Sequence, residues 1–405
     1  MAGGRPVRAE IADSLTTSFG SALLDGNAAA PTSVDQLAAL CAWASTNGWR
    51  WRISGSGTWG GGDTPADLEL STRHLRQIIA IAPDDLVVTV EAGVTLSELA
   101  TALVPHRLWW PVDPPGGGTR SIGSVVATAT AGPLRHGYGP VRDQVLGCTV
   151  VTADGRLVET GGRVVKNVAG FDLPRLHAGG FGAFGVIVLL HLRLRALPER
   201  DLTLVAGGAR HDLLAAAHAA RESGIGLCAL ELLSPGAAGP GEWSLAARLA
   251  GTGAGIEGEA ARLRTTTGLP WRALTAGEAA GFWSALAAAT GSGATTFRLG
   301  CLTSDVEDTL RLIDAVAGAG VISAGAASGQ VRCSGEMAGA AIARLREQLA
   351  SREVPLTIER SPWPIRLAEG HYGALRTGVG PLTGKLRALF DPHGSIAVAL
   401  EGEHG

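Results

Sequence analysis

A short strand that breaks off into glycine restricts this chain more than any other feature. Over 49–62, WRWRISGSGTWGGG, apolar and polar residues alternate up to Ile53 and then give way to glycine, serine and threonine. The period of two predicts a half-buried strand, and the break predicts a tight loop at its end. Such a loop offers backbone N–H groups with no Cβ in the way, as a phosphate cradle requires. The spacing matches neither GxGxxG ahead of a helix nor GxxxxGK[ST], so a plain glycine-rich turn and a phosphate loop both stay open on local grounds.

The remainder reads as a well-buried globular protein. Its 405 residues exceed the usual size of one domain and predict two hydrophobic cores. A net charge of −3 with no basic run gives no footprint for nucleic acid. The most apolar run, 186–197, is interrupted by His191, Arg193 and Arg195, short of the roughly 20 apolar residues a membrane helix needs. The first residues contain Glu10 and Asp13 and no apolar segment, so the expectation is a cytoplasmic protein without a direct membrane span, membrane association coming only through partners. Cys41, Cys148, Cys228, Cys301 and Cys333 stand singly and read as reduced, buried thiols. His106, His136, His177 and His393 lack ligand spacing, and no metal is expected.

The spacing of apolar residues predicts a helix over 31–48 capped by Ser33, and another whose Thr95 and Glu98 form a capping box. DLEL and DLVVTVEAGV read as strands, and CTVVTADGRLVET as a hairpin turning at Asp154-Gly155. From Asp201 onward one order occurs twice, strand, helix, strand, strand, helix, strand, first over 202–271 and then over 296–359. Two such βαββαβ units would join in one antiparallel sheet with helices on one face; chance similarity of the runs is the alternative. A last helix is expected over 381–390.

Three further segments follow the glycine loop in order: DPPGGGTRSIGSVVATATAGP (113–133), HGYGPVRDQVLGCTVVTADG (136–155) and GGRVVKNVAGFDLPRLHAGGFGAFGVI (161–187). Together they resemble the PCMH-type, vanillyl-alcohol oxidase-like family of FAD-binding oxidoreductases, and within it the FAD-binding E-type subunits of bacterial glycolate oxidase. The resemblance runs over 31–197 and returns over 386–394. It implies an α+β chain: a two-subdomain PCMH-type FAD-binding fold over 1–199, a substrate-side cap of duplicated ferredoxin-like βαββαβ units over 200–380, and a C-terminal helix and tail over 381–405 that return to the FAD domain.

The same resemblance implies residue roles. Ser54, Gly55, Ser56, Gly57 and Thr58 would wrap the FAD pyrophosphate; Pro114, Ser121, Ile122 and Gly123 would approach the flavin and its phosphates, with Thr128 and Gly132 along the same channel. Lys166, Asn167, Gly170, Phe171 and Asp172 belong to a segment that closes over the cofactor, and Gly185, Val186 and Ile187 would lie by the adenine. Lys166 is one of only two lysines in the chain. Arg142 and Asp143 read equally as a salt bridge or as cofactor contacts. The loop holds no histidine, so FAD is expected to be noncovalent. The tail FDPHGSIAVAL departs from the family's Asn-Pro-Gly-Arg ending, which leaves its return to the flavin open.

Oxidation of a 2-hydroxy acid needs a base, a cation for the carboxylate and a hydride acceptor. Arg366 and His371 in SPWPIRLAEGHYG, with Arg135 and Tyr138 on the flavin side, are the candidates. The implied function is hydride transfer from a small 2-hydroxy acid to flavin and electron relay within a complex containing a sister flavoprotein subunit and an iron–sulfur subunit. A standalone FAD-dependent alcohol or lactone oxidase, and a structural subunit that has lost FAD, are the alternatives.

Overall fold

The computed structural model describes residues 8–60, 63–163, 172–237, 241–317, 320–373 and 378–402. Its first layer comprises α1 (Ala9–Phe19), β1 (Leu24–Asp25), β2 (Ala28–Ala29), α2 (Val34–Thr46), β3 (Trp51–Ser54) and β4 (Leu68–Ser71), in the sheet order β1-β2-β4-β3. α2 starts at Val34 rather than at Pro31, because Ser33 is extended and its hydroxyl accepts the Gln36 N–H. α1 is a helix that the polar N-terminus does not announce; Ile11 and Leu15, one turn apart, are fully buried in the core shared with Trp51 and Leu70.

The second layer comprises β5 (Ile78–Ala82), β6 (Val87–Glu91), α3 (Leu96–Leu103), β7 (Leu108–Trp109), α4 (Ile122–Thr128), α5 (Arg135–Tyr138), β8 (Val145–Val151), β9 (Leu157–Gly161), α6 (Pro174–His177), β10 (Val186–Arg193) and β11 (Arg195–Ala196). Five of these strands form one sheet in the order β5-β6-β10-β8-β9. The apolar run from Val186 is its central strand, buried through contacts with β6 and β8 rather than by lipid. The Thr95–Glu98 capping box forms and fixes the start of α3. Among the described residues no helix is long and apolar enough to cross a membrane. The five cysteines are free, four of them buried.

The third layer comprises β12 (Arg200–Gly208), α7 (Arg210–Glu222), β13 (Ala229–Leu233), β14 (Trp243–Gly251), α8 (Gly253–Thr267), β15 (Arg272–Ala273), α9 (Ala276–Ala289), β16 (Thr295–Gly300), α10 (Val306–Ala317), β17 (Val321–Gly325), β18 (Gln330–Gly335), α11 (Gly339–Ala350) and β19 (Leu356–Arg360). Its eight strands run β15-β12-β14-β13-β17-β18-β16-β19, all antiparallel. α9 is unpredicted; it opens on its own capping box, Thr275 with Glu278.

Strand alternation gives this sheet two unlike faces. Leu230, Leu232, Phe297, Leu299, Val331, Cys333 and Ile358 share one core with residues of α7, α8, α10 and α11. The intervening residues, among them Glu231, Arg298, Arg332 and Glu359, lie on the opposite face, and Arg298 and Arg332 reach backbone carbonyls at the end of α4 and just beyond it, Thr128 O and Ala131 O, in the second layer.

α12 (Trp363–Glu369) and α13 (Val379–Phe390) follow. Beyond α13 the tail runs back alongside β3: Trp51 N–H donates to Ser395 O at 2.8 Å, and Ala397 N–H donates to Trp51 O at 2.8 Å. Asp391 holds the turn by accepting the Ser395 and Ile396 N–H groups.

Candidate functional site

β3 delivers the glycine loop to the start of α4, where the Ser121 N–H donates to Ser56 Oγ at 3.2 Å. A Cβ built on Gly55 would stand 2.0 Å from Ser121 Oγ, so any larger residue would have to displace that buried hydroxyl. Gly57 turns the loop at a φ of +72°, a left-handed conformation that glycine adopts without penalty. The hydroxyls of Ser54 and Ser121 are buried with no hydrogen-bond partner. Buried polar groups are ordinarily satisfied, so two orphan hydroxyls beside a glycine backbone mark a place for a ligand's oxygens.

The loop forms one wall of a cleft with about 1100 Å³ of atom-free space, part of it open to solvent. Of the sequence-predicted residues, Ser54, Gly55, Ser56, Gly57, Thr58, Gly123, Thr128, Gly185, Ile187, Arg366 and His371 line it. Ser121 and Ile122 lie just behind, at the buried start of α4. The others lie elsewhere. Pro114 accepts the Gly117 N–H, Gly132 backs onto Asp113 in a separate small chamber, and Val186 faces the core. Asp172 is an exposed partner of Arg175 at 2.7 Å. Arg142 and Asp143 form a surface ion pair at 3.7 Å, which favours the salt-bridge reading. Lys166, Asn167, Gly170 and Phe171 lie outside the described residues.

Arg366 and His371 reach the cleft from α12 and the turn after it. The Arg366 guanidinium is buried and spent on Asp63 Oδ1 (2.6 Å), Thr64 Oγ1 (2.9 Å) and Ser361 O (2.5 Å). Burial disfavours the Asp63 charge, but the hydrogen bond and charge of Arg366 outweigh it and hold that carboxyl below its usual range. His371 stacks on Phe181 with ring centroids 3.7 Å apart, and its Nδ1 meets Ile358 O at 2.7 Å. Burial pulls its pKa down to about 3, so the ring is neutral. Arg135 and Tyr138 are not brought to this cleft: α5 packs against β13 of the third layer, where the Tyr138 hydroxyl lies 3.5 Å from Cys228 Sγ.

Two buried charges at or behind the cleft were not among the sequence-predicted residues. Glu359 lines it from β19 and joins Arg298 and Arg332 in a buried triad. Burial opposes its charge, yet Arg332 and Arg298 hold its pKa down to about 2. Arg120 is fully buried, donates to Pro115 O, Ser124 Oγ and Thr128 Oγ1, and stacks 4.2 Å from the Trp59 ring. The legible signal for the triad was a charge between two apolar or cysteine residues in β16 and β18, Phe297-Arg298-Leu299 and Val331-Arg332-Cys333, with Glu359 following Ile358 in β19.

A strand-to-glycine loop, orphan hydroxyls at the start of a helix and a cleft beside them suit the phosphates of a nucleotide on an α+β frame. The FAD binding domain family matches residues 27–161, and FAD is the cofactor that this match indicates. The chain is 38% identical over 136 residues to glycolate oxidase subunit GlcE of Escherichia coli, spanning 33% of this chain and 39% of that protein. It is 35% identical over 148 residues to glycolate oxidase subunit GlcD of Bacillus subtilis, spanning 36% and 32% respectively. With D-2-hydroxyglutarate dehydrogenase of Xanthomonas citri it shares 31% identity over 213 residues, 51% of this chain and 44% of that one. The matched segments thus span less than half of each relative. The fold resembles that of alkyldihydroxyacetonephosphate synthase, with a TM-score of 0.68 over 97% of this chain and 79% of that one at 12% identity, a likeness of fold alone.

Proposed function

We propose that this chain is an FAD-dependent oxidoreductase subunit acting on a small 2-hydroxy acid, with residues 1–199 as the FAD-binding domain, 200–380 as a cap of duplicated ferredoxin-like units, and 381–405 as a returning tail. The observation that carries the flavin half is the Gly55–Ser121 contact beside two orphan hydroxyls. Ser54 to Thr58, with Ser121 and Gly123, hold the pyrophosphate; Thr128 flanks the flavin and Gly185 with Ile187 the adenine. The mirrored strand orders β15-β12-β14-β13 and β17-β18-β16-β19 support the duplication in the cap. The relatives' names support the substrate class.

FAD, when bound, supplies a hydride acceptor. The chain's own residues orient the acid and exclude water beneath the polar face of the cap. Arg366 is committed to Asp63, and His371, whose pKa burial lowers to about 3, is a weak base, so the pair supplies neither a free cation for a carboxylate nor an effective proton acceptor. That favours a subunit that relays electrons for a sister flavoprotein, onward to an iron–sulfur partner, over a self-sufficient oxidase.

The test is the absorbance of the purified chain near 450 nm, followed by anaerobic addition of glycolate or D-lactate. Noncovalent FAD, released on denaturation at one per chain, and bleaching by a 2-hydroxy acid with or without the sister subunit are expected. A colourless chain that cannot be reconstituted, or a flavin that no 2-hydroxy acid bleaches in either setting, overturns the proposal.

A further inference from the structure

His371 is pinned between the cap and the returning tail. Its backbone N–H donates to Ala399 O at 3.0 Å, and its carbonyl accepts the Ile358 N–H of β19 at 2.8 Å. Tyr372 extends the junction, with its N–H on Leu400 O and its hydroxyl on Gly179 O. The imidazole is held as firmly as the backbone: one face lies on the Phe181 ring, 3.7 Å between centroids and 15° between planes, and Nδ1 meets Ile358 O at 2.7 Å.

Phe181 presents its ring at a cost. Its φ is +51°, in the left-handed region that a bulky residue enters only under strain. Such strain persists where the surrounding structure over-determines it, and it clusters at ligand sites. Phe181 and His371 both line the cleft.

A carbonyl oxygen only accepts, so the bond to Ile358 O places the ring proton on Nδ1. Nε2 is left as a lone pair open to the cleft, with no partner among the described residues. Burial keeps the ring neutral, so that lone pair stays an acceptor. An acceptor that is a weak base suits a donor that keeps its proton, and a ring fixed on its face, its edge and its backbone suits a donor that is equally fixed.

Two contacts place this acceptor beside the end of α4. The Phe181 N–H donates to Ala127 O at 2.8 Å, and Arg298 donates both to Glu359 Oε1 at 2.7 Å and to Thr128 O at 3.2 Å. With Thr128 flanking the flavin, His371 stands at the flavin end of the cleft. The oxidised flavin ring carries a single N–H, that of its imide; its other polar atoms accept.

We propose that His371 Nε2 accepts the imide N–H of the bound flavin and so sets the orientation of the ring in the cleft. The inference deepens the flavin reading and rests on it, but it takes nothing from the identity of the substrate.

The test uses the full chain stripped of FAD and reconstituted either with FAD or with FAD methylated at the imide nitrogen, which has no proton to donate there. Quenching of flavin fluorescence gives the two Kd values. The unaltered chain is expected to prefer FAD by about tenfold or more, since the methylated cofactor leaves a buried acceptor unmet. His371→Ala removes the acceptor and makes room for the methyl group, so it should weaken FAD binding and bring the two Kd values within about twofold of each other. His371→Gln, whose side-chain oxygen can accept, should restore part of the preference.

A purely structural role would weaken both cofactors together and leave their ratio unchanged, as would a contact to a ribityl hydroxyl; that result in His371→Ala overturns the proposal. Equal affinities in the unaltered chain overturn it without any variant. The two readings fail separately: a chain that binds neither cofactor removes the flavin reading itself, whereas one that binds both alike removes only the imide contact.

Discussion

Gly55 lies so close to Ser121 that a β-carbon in its place would meet the serine hydroxyl oxygen at 2.0 Å and its Cβ at 3.1 Å. The contact joins the glycine loop to the first turn of α4, the two pieces of backbone between which the pyrophosphate is expected to sit. Gly55→Val should therefore weaken FAD binding by at least about tenfold while costing the fold only about 1–3 kcal/mol, the usual range for overpacking. FAD stoichiometry and far-UV circular dichroism on one preparation check both; a variant with full FAD content refutes the placement.

Arg366 links α12 to the segment following the glycine loop through Asp63 and Thr64. Asp63 is about half exposed, at 48%, so solvent screens the pair and Asp63→Asn should cost only about 1 kcal/mol. Arg366→Met strips three acceptors of their donor and should cost more, about 2–3 kcal/mol. Urea denaturation of both single variants and the double variant reads the coupling directly.

Glu359 is the one carboxylate between two cross-strand arginines, and it is buried. Glu359→Gln leaves those cations facing each other and should destabilise by roughly 3–5 kcal/mol, the range for breaking a buried pair. The loss should show as a lower denaturation midpoint with the m-value unchanged. A shift below about 1 kcal/mol would mean that water enters the triad.

Two carboxyls set a dependence of opposite sign. Burial raises Asp113 to about 7, against opposing help from Arg248, the Leu134 N–H and Arg332. Burial likewise raises Glu231 to about 8, with Ser323 and Arg332 opposing and Asp113 adding to it. The folded chain thus holds protons that the unfolded chain releases, so these groups lower stability as pH rises from about 4 to 8, with the full loss above that. Asp113→Asn should raise stability at pH 8 by on the order of 2 kcal/mol relative to its effect at pH 4. His371 and His177, lowered by burial to about 3 and about 4, act at the other end: stability is lost as pH falls below about 6.5. Denaturant titrations at pH 4, 6 and 8 separate the two limbs.

Local signals located what local physics controls. Ser33, Thr95 and Glu98 cap their helices as the sequence predicts, since a cap is settled within four residues. The glycine loop was legible for the same reason. α1 escaped because its helicity depends on burial against a distant sheet, whereas α9 carried a local signal, the Thr275–Glu278 capping box, that the reading of the sequence passed over. Arg135 and Tyr138 were placed with Arg366 and His371 on chemical type alone, yet α5 holds the first pair against β13 while α12 carries the second pair to the glycine loop.

The order of motifs along the chain, by itself, determined the strand and glycine loop of the FAD-binding half, which are contiguous; the helix start that closes the cradle, at Ser121, lies 65 positions beyond Ser56 and is brought there only by folding. Tertiary structure alone decided which charges are spent and which are free. Arg366 meets Asp63 across some 300 positions, and Arg298 and Arg332 share the single carboxylate of Glu359 from another strand. The physical reason is that a charge's protonation, pairing and use depend on what lies within a few ångströms of it. In a chain this long, those neighbours come from β-pairings between distant segments that no local pattern records.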